Sequence, residues 1–251
     1  MNIQWNAENY QQNFAFVFNY GESVLSLLDL PKGAAVLDLG CGNGHLTAQL
    51  RNKGYNVFGM DDSEDMLKTA RQNYPDIEFL QGNAVDFKLK KLVEGIFSNA
   101  VFHWIDEHKQ LQMLKNIAAN LVKNGELVFE FGGYGCGRAV HTELARLFRQ
   151  HGLKYVMPFY FPTIGQYAPL LEKAGFKIEY AVLFDRFTPV KGENGIVDWI
   201  KMFDKKPFEN IAPALAEQIR QQAQDNLRDK LFKNDVWHVD YVRIRMKARK
   251  L

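Results

Sequence analysis

The sequence predicts a doubly wound α/β fold, an open seven-stranded sheet with helices on both faces, and three observations carry that reading. Val36, Leu37 and Leu39 suit a strand covered on both faces, and that strand runs straight into Gly40-Cys41-Gly42-Asn43-Gly44. Three glycines in such a turn let backbone approach a ligand with no side chain in the way. His45 to Leu50 then starts a helix, whose free N–H groups favour an anion. Strand-like and helix-like patterns alternate from there to about residue 185, the rhythm of βαβ units. A chain of 251 residues, 47% of them apolar, buries a sufficient core for one such domain with insertions.

The elements follow in order. The helix through Leu50 stops at Gly54, and Tyr55 to Met60 is the second strand, with Asp61 just past its end. Ser63 caps a helix with Glu64 and Asp65 in its first turn, Met66, Leu67 and Ala70 on its inner face, and Pro75 beyond its end. Ile77 to Leu80 is a short third strand and Gly95 to Ser98 the fourth. Leu111, Leu114, Ala118 and Leu121 mark an amphipathic helix, and Gly125 punctuates before the fifth strand, Leu127 to Phe131. Thr163-Ile164-Gly165-Gln166 reads as a capping box for a helix ending at Gly175, and Phe176 to Phe184 is the sixth strand. Val242, Ile244, Met246 and Ala248 alternate with Arg243, Arg245, Lys247 and Arg249, a last strand with one basic face expected to meet solvent rather than RNA. Two segments, about 133–162 and 191–235, interrupt the rhythm as cap insertions. In the second, Pro213 opens a helix with Leu215, Ile219, Ala223, Leu227 and Leu231 in one stripe.

The bulk numbers exclude several function classes. A net charge of +2 from 31 basic and 29 acidic residues provides no field for capturing nucleic acid or an anionic membrane. Cys41 and Cys136 are far apart and give neither a disulfide framework nor a cysteine-rich zinc site, which points to a reducing cytoplasm. The apolar run Phe14 to Phe18 is too short for a signal core or a membrane span. His103 and His108, five apart, do not share a helical face, so no metal is expected. No obligate protein partner is evident.

The glycine spacing is G-x-G-x-G, and the third glycine is out of register with the dinucleotide fingerprint G-x-G-x-x-G. With Asp38 two positions before the first glycine, the chain resembles the class I S-adenosylmethionine-dependent methyltransferases over about residues 33–185. Val36 to Gly44 is similar to their first motif, Gly59-Met60-Asp61 to their acidic second-strand end, and Gln81-Gly82-Asn83-Ala84 to their adenine loop. Ser98 to Trp104 and Leu121 to Leu127 further resemble the subgroup holding trans-aconitate and malonyl-carrier-protein O-methyltransferases. The resemblance implies a Rossmann-like sheet whose last strand is antiparallel, S-adenosylmethionine as cofactor and S-adenosylhomocysteine as product. It implies an N-terminal helical lid over residues 1–32, carrying Tyr10, Phe14 and Phe18, before a domain of residues 33–251. Asp61 then holds the ribose hydroxyls, Asn83 and Ala84 meet the adenine where the family more often has Asp at the first position, and Asp38, Gly40, Cys41, Gly42, Asp62, Asn99 and Tyr10 complete the cofactor site. Asp62 departs from the apolar residue usual there.

Methyl transfer from a sulfonium is an in-line displacement, so alignment and exclusion of water matter most and no metal is required. His103 at the crevice mouth is either a general base or part of the pocket wall with Trp104. A carboxylate acceptor needs a cation instead, for which Arg138 and Arg186 are candidates. Tyr134, Tyr160 and Trp199, in or beside the insertions, are candidate substrate contacts. The expected partner is a small-molecule methyl acceptor, methylated on oxygen. The alternatives are a catalytically silent S-adenosylmethionine-binding module, a methyltransferase acting on protein or RNA, and a nicotinamide oxidoreductase.

Overall fold

The carboxyl ends of the parallel strands form one rim of the sheet, and the chain order that builds that rim is set by β1. In a computed structural model that describes residue 21 and residues 23–251, the elements run β1 (Ala35–Leu39), α1 (His45–Asn52), β2 (Asn56–Asp61), α2 (Glu64–Asn73), β3 (Phe79–Gln81), β4 (Val93–Asn99), α3 (Gln110–Asn120) and β5 (Leu121–Gly132). They continue with α4 (Arg138–Gln150), α5 (Ile164–Lys173), β6 (Phe176–Val190), α6 (Gly195–Phe203), α7 (Pro213–Leu231), β7 (Phe232–Lys233) and β8 (Val236–Lys250). Spatial order is β3-β2-β1-β4-β5-β8-β6, with β1 to β5 parallel and β8 antiparallel to both neighbours. The seven-strand reading therefore holds, with a two-residue β7 added as a hairpin on β8. The order reverses at β1, which is where an open α/β sheet binds its ligand. Tyr10, Phe14, Phe18 and most of the expected lid lie outside the described residues.

The sheet works as the divider between two cores. Val36 joins Leu46, Leu50, Phe97 and Val128 on one face, while Leu37 joins Ile96, Leu127 and Phe129 on the other. Both caps read from the sequence are present: Ser63 Oγ accepts from the Met66 N–H at 3.4 Å, and Thr163 and Gln166 form a reciprocal box. β5 begins at Leu121, directly after α3, earlier than Gly125 implies. Asn124 takes the left-handed turn there, at φ 64°. The third strand is shifted to Phe79–Gln81, although Ile77 is still buried.

The two insertions merge into one layer. Leu144, Leu147 and Phe148 of α4 join Ile196 and Ile200 of α6 and Ile219, Ala223 and Leu227 of α7 in a single apolar cluster. β6 and β8 extend beyond their predicted ends to reach it, since Val190, Trp237 and Val239 belong to the same cluster.

One expectation is corrected: the basic face of β8 does not meet solvent. Arg243 and Arg245 pair with Glu130, Lys247 pairs with Glu126, and Arg249 pairs with Glu126 and Glu179. The carboxylates come from β5 and β6, far away in sequence, so a local pattern could not show them. Among the described residues no helix is long and apolar enough to cross a membrane.

Candidate functional site

At the switch point the glycines are required by conformation and by space. Gly40, Gly42 and Gly44 have φ of 78°, 54° and 81°. A Cβ on Gly40 would fall inside the Val101 side chain, and one on Gly44 would lie 2.7 Å from Phe79 Cζ. Gly40 and Cys41 donate their N–H groups to Met60 O at 2.7 and 3.0 Å, locking the turn to β2. Asp61 completes the lock: its Oδ2 accepts from the Gly42 N–H and its Oδ1 from the Ser63 N–H, each at 2.9 Å. Each oxygen keeps a lone pair for a further donor. The Gly44 N–H goes to Cys41 O and the His45 N–H to Asn43 Oδ1, so the turn uses internally several donors that the sequence offers to an anion.

The carboxyls beneath the turn are held back from ionisation. Burial pushes the Asp38 pKa up to about 7 against the hydrogen bond from Thr47 Oγ1 at 2.6 Å, and the charge of Asp61 adds to the rise. Burial also raises Asp61, opposed by the Ser63 and Gly42 N–H groups. Cys41 is raised well above the ordinary thiol range by burial and then by Asp38 and Asp61, so it is a packing thiol and not a nucleophile.

At the end of β4, Ser98 Oγ donates to Leu39 O at 2.7 Å, joining β4 to β1. Asn99 Oδ1 beside it is buried without a hydrogen-bond partner, an acceptor with nothing to accept. Asn83 Oδ1 accepts from the Val85 N–H at 2.9 Å and closes the turn that holds Ala84, so its NH2 is the group left for a ligand. Asp62 O accepts from Gln81 Nε2 at 3.4 Å, tying the end of β2 to the loop that follows β3. Left-handed glycines, an acidic strand end and an orphaned buried acceptor fit a cofactor that presents an ammonium and ribose hydroxyls and needs close backbone approach.

The second half of the site is aromatic. Phe102–Trp104 form a single 3-10 turn, and His103 Nδ1 accepts from the Gly132 N–H at 3.4 Å. In the neutral ring the proton is therefore on Nε2. Burial, then the charge of Arg243, holds the His103 pKa well below its usual value. Phe159 and Phe161 stack at 5.2 Å and stand between two histidines, with His103 6.1 and 5.9 Å from them and His141 5.5 and 6.1 Å. His141 belongs to a buried relay: Tyr155 OH donates to Asp204 Oδ2 and meets His141 Nδ1, both at 2.6 Å, while His141 Nε2 has no partner.

The predicted substrate residues are not brought to one place. His103, Trp104 and Trp199 are in the aromatic wall, linked through Phe203 at 6.3 and 5.6 Å from the two tryptophans, and Trp199 Nε1 donates to Tyr241 OH. Tyr160 lines a separate cavity of about 670 Å³ with His108, Lys154 and Glu209. Tyr134 and Arg138, stacked at 5.0 Å, line another of about 650 Å³ with Phe184, Asp185 and Asp240. Arg186 is a forked pair with Glu130, at 2.6 and 3.1 Å.

Sequence reasoning passed over Glu130, Arg243 and His141. The signal for Glu130 is a charge inside the apolar strand Leu127 to Phe131, where a carboxylate must be paired. Its side chain is fully buried and takes Arg186, Arg243 and Arg245. Burial alone would raise its pKa, but Arg243, Arg186 and Arg245 together outweigh it and hold the carboxyl below the ordinary range. No cluster of three or more histidine, cysteine or acidic side chains is placed to hold a metal among the described residues.

Comparison with known proteins agrees with this geometry. A family profile described as a methyltransferase domain matches residues 36–125. A trans-aconitate 2-methyltransferase of Azoarcus is 32% identical over 206 residues, covering 77% of this chain and 76% of its own. An uncharacterized methyltransferase of Schizosaccharomyces pombe is 28% identical and covers 98% of both chains. Among solved structures, an S-adenosylmethionine-dependent methyltransferase of Mesorhizobium loti superposes with a TM-score of 0.54 at 17% identity, covering 91% of this chain and 96% of that one. The chain belongs to the class I S-adenosylmethionine-dependent methyltransferases.

Proposed function

We propose that this methyltransferase acts on a carboxylate oxygen of a small organic acid, giving a methyl ester. The observation that carries the reading is the state of His103. Its Nδ1 is taken by the Gly132 N–H and its pKa is held low, so at neutral pH Nε2 is a hydrogen-bond donor and not a base. An acceptor that must lose a proton gets no help from it, whereas a carboxylate is already a nucleophile. The name of the Azoarcus relative, trans-aconitate 2-methyltransferase, points the same way.

In this reading S-adenosylmethionine, when bound, supplies an electrophilic methyl group. Asp61 accepts from the ribose hydroxyls, Asn99 Oδ1 takes a donor such as the ammonium, Asn83 and Ala84 flank the adenine, and Asp38 under the glycine turn keeps Thr47 and α1 in place. Residues Trp104, Phe159 and Phe161 exclude water from the attacking oxygen, and His103 Nε2–H donates to the acceptor. Two buried free thiols, Cys41 and Cys136, suit a reducing cytoplasm. Pairing of the β8 cations with Glu126, Glu130 and Glu179 removes the basic surface an RNA acceptor would use.

A second reading rests on His141. Tyr155 OH donates to Asp204 Oδ2 and so accepts from His141 Nδ1–H, which leaves the unpartnered His141 Nε2 as the site's base for a hydroxyl acceptor. Incubation with methyl-labelled cofactor and panels of small acids, alcohols and amines separates the two. The carboxylate reading expects label on acids that mild alkali releases as methanol. Alkali-stable label on a hydroxyl compound overturns it.

A further inference from the structure

We infer that Arg243 determines acceptor specificity, seating a carboxylate of the acceptor that is not the one methylated; this rests on the carboxylate reading above. Arg243 lies opposite Gly132 in the antiparallel register of β5 and β8, at the carboxyl end of β5. The N–H of that glycine holds His103, so the guanidinium and the imidazole share one stretch of the rim. The charge of the same guanidinium also reaches Cys136, on the turn after β5, and opposes the rise that burial gives its thiol.

Three guanidiniums surround Glu130, and they differ in what they have left to offer. Arg186 spends its fork on the two carboxylate oxygens. Arg245 is bound to Glu130 through Nε and Nη2 and to Ser23 through both terminal nitrogens. Arg243 gives Glu130 only Nε, at 3.1 Å, which fixes its plane while its terminal nitrogens keep donors free for a ligand. Even with Arg186 left out of the count, Arg243 and Arg245 share one carboxylate. Their side chains are only 9% and 12% exposed. Positive charge in excess at that depth is unfavourable until an anion arrives, and a carboxylate meets an arginine fork in the geometry both prefer. A guanidinium bound to the attacking oxygen would withdraw charge from it, so the carboxylate seated here is one that orients the acceptor. An acceptor with at least two carboxylates gains from the seat, and a monocarboxylate does not.

The test compares Arg243→Met and Arg243→Lys with the unaltered protein, reading S-adenosylhomocysteine affinity and the KM and kcat for small dicarboxylates and monocarboxylates. Expected for Arg243→Met is a dicarboxylate KM raised more than about tenfold, monocarboxylate KM within about twofold, and cofactor affinity unchanged. Arg243→Lys, which keeps the charge and loses the fork, falls between. Equal changes for both acid classes, an unchanged dicarboxylate KM, or loss of cofactor binding in both variants overturns the assignment and makes Arg243 a structural partner of Glu130. If the unaltered protein methylates no carboxylate at all, the functional reading itself fails, and the seat with it.

Discussion

Replacing Asp38 by asparagine removes a buried carboxyl whose pKa is pushed up to about 7 from 3.8. A group whose folded pKa is raised adds stability while it is protonated. That contribution is complete below the ordinary pKa and is lost as pH rises through about 7. Between pH 5 and pH 8 the loss from this one group is about 3 kcal/mol in the unaltered protein. Asp38→Asn has no such titration, and its amide oxygen still receives the Thr47 hydroxyl. Relative to the unaltered protein, the variant should therefore gain about 3 kcal/mol on going from pH 5 to pH 8, or about 6–12 °C in Tm for a chain of this size. Denaturant unfolding of both proteins at the two pH values, without cofactor, reads this difference directly. A stability difference that is the same at pH 5 and pH 8 would refute the claim that burial holds Asp38 protonated near neutrality.

Other predictions follow from the same contacts. Glu130→Gln leaves buried guanidiniums without their carboxylate and should cost about 3–5 kcal/mol of unfolding free energy at pH 7. Because the folded pKa of Glu130 is lowered, its contribution is present above about pH 4.5 and disappears as pH falls through that lowered value, so the variant should lose part of the acid limb of the stability profile. Gly40→Ala forces a side chain into the left-handed region and into Val101, for a loss of at least about 1–2 kcal/mol; adding Val101→Ala should recover only the clash, and full recovery would show that φ is not a constraint. His103→Gln should lower kcat/KM without changing the shape of its profile between pH 6 and pH 8, since His103 does not titrate there. A lost pH limb would assign His103 as the base.

The parts of the molecule built from near neighbours were readable in the sequence. The glycine turn, the Ser63 cap and the Thr163 box each lie within a few residues of the chemistry that creates them, and each is found in place. The period-two pattern of β8 was also readable, but its meaning was not. Which charges face Arg243 to Arg249 depends on strand order, and Glu130 is 113 residues from Arg243. The same holds for the acceptor side. Tyr155 and Asp204 come from different insertions and meet His141 only because α4, α6 and α7 share one core. Leu121 illustrates a local failure: its spacing continues the stripe of α3, yet the chain turns into β5 there because Leu121 pairs with Val93. The apolar stripe of α4 was present as Ala139, Val140, Leu144, Leu147 and Phe148, hidden inside a segment bracketed by glycines.

The most direct test of the account is calorimetric titration with S-adenosylhomocysteine, run on the unaltered protein and on Asp61→Ala, with NAD as the control ligand. Expected are binding to the unaltered protein, no NAD binding, and affinity weakened more than about tenfold, or 1.4 kcal/mol, in Asp61→Ala. No binding of S-adenosylhomocysteine, binding of NAD alone, or full affinity in Asp61→Ala would contradict it.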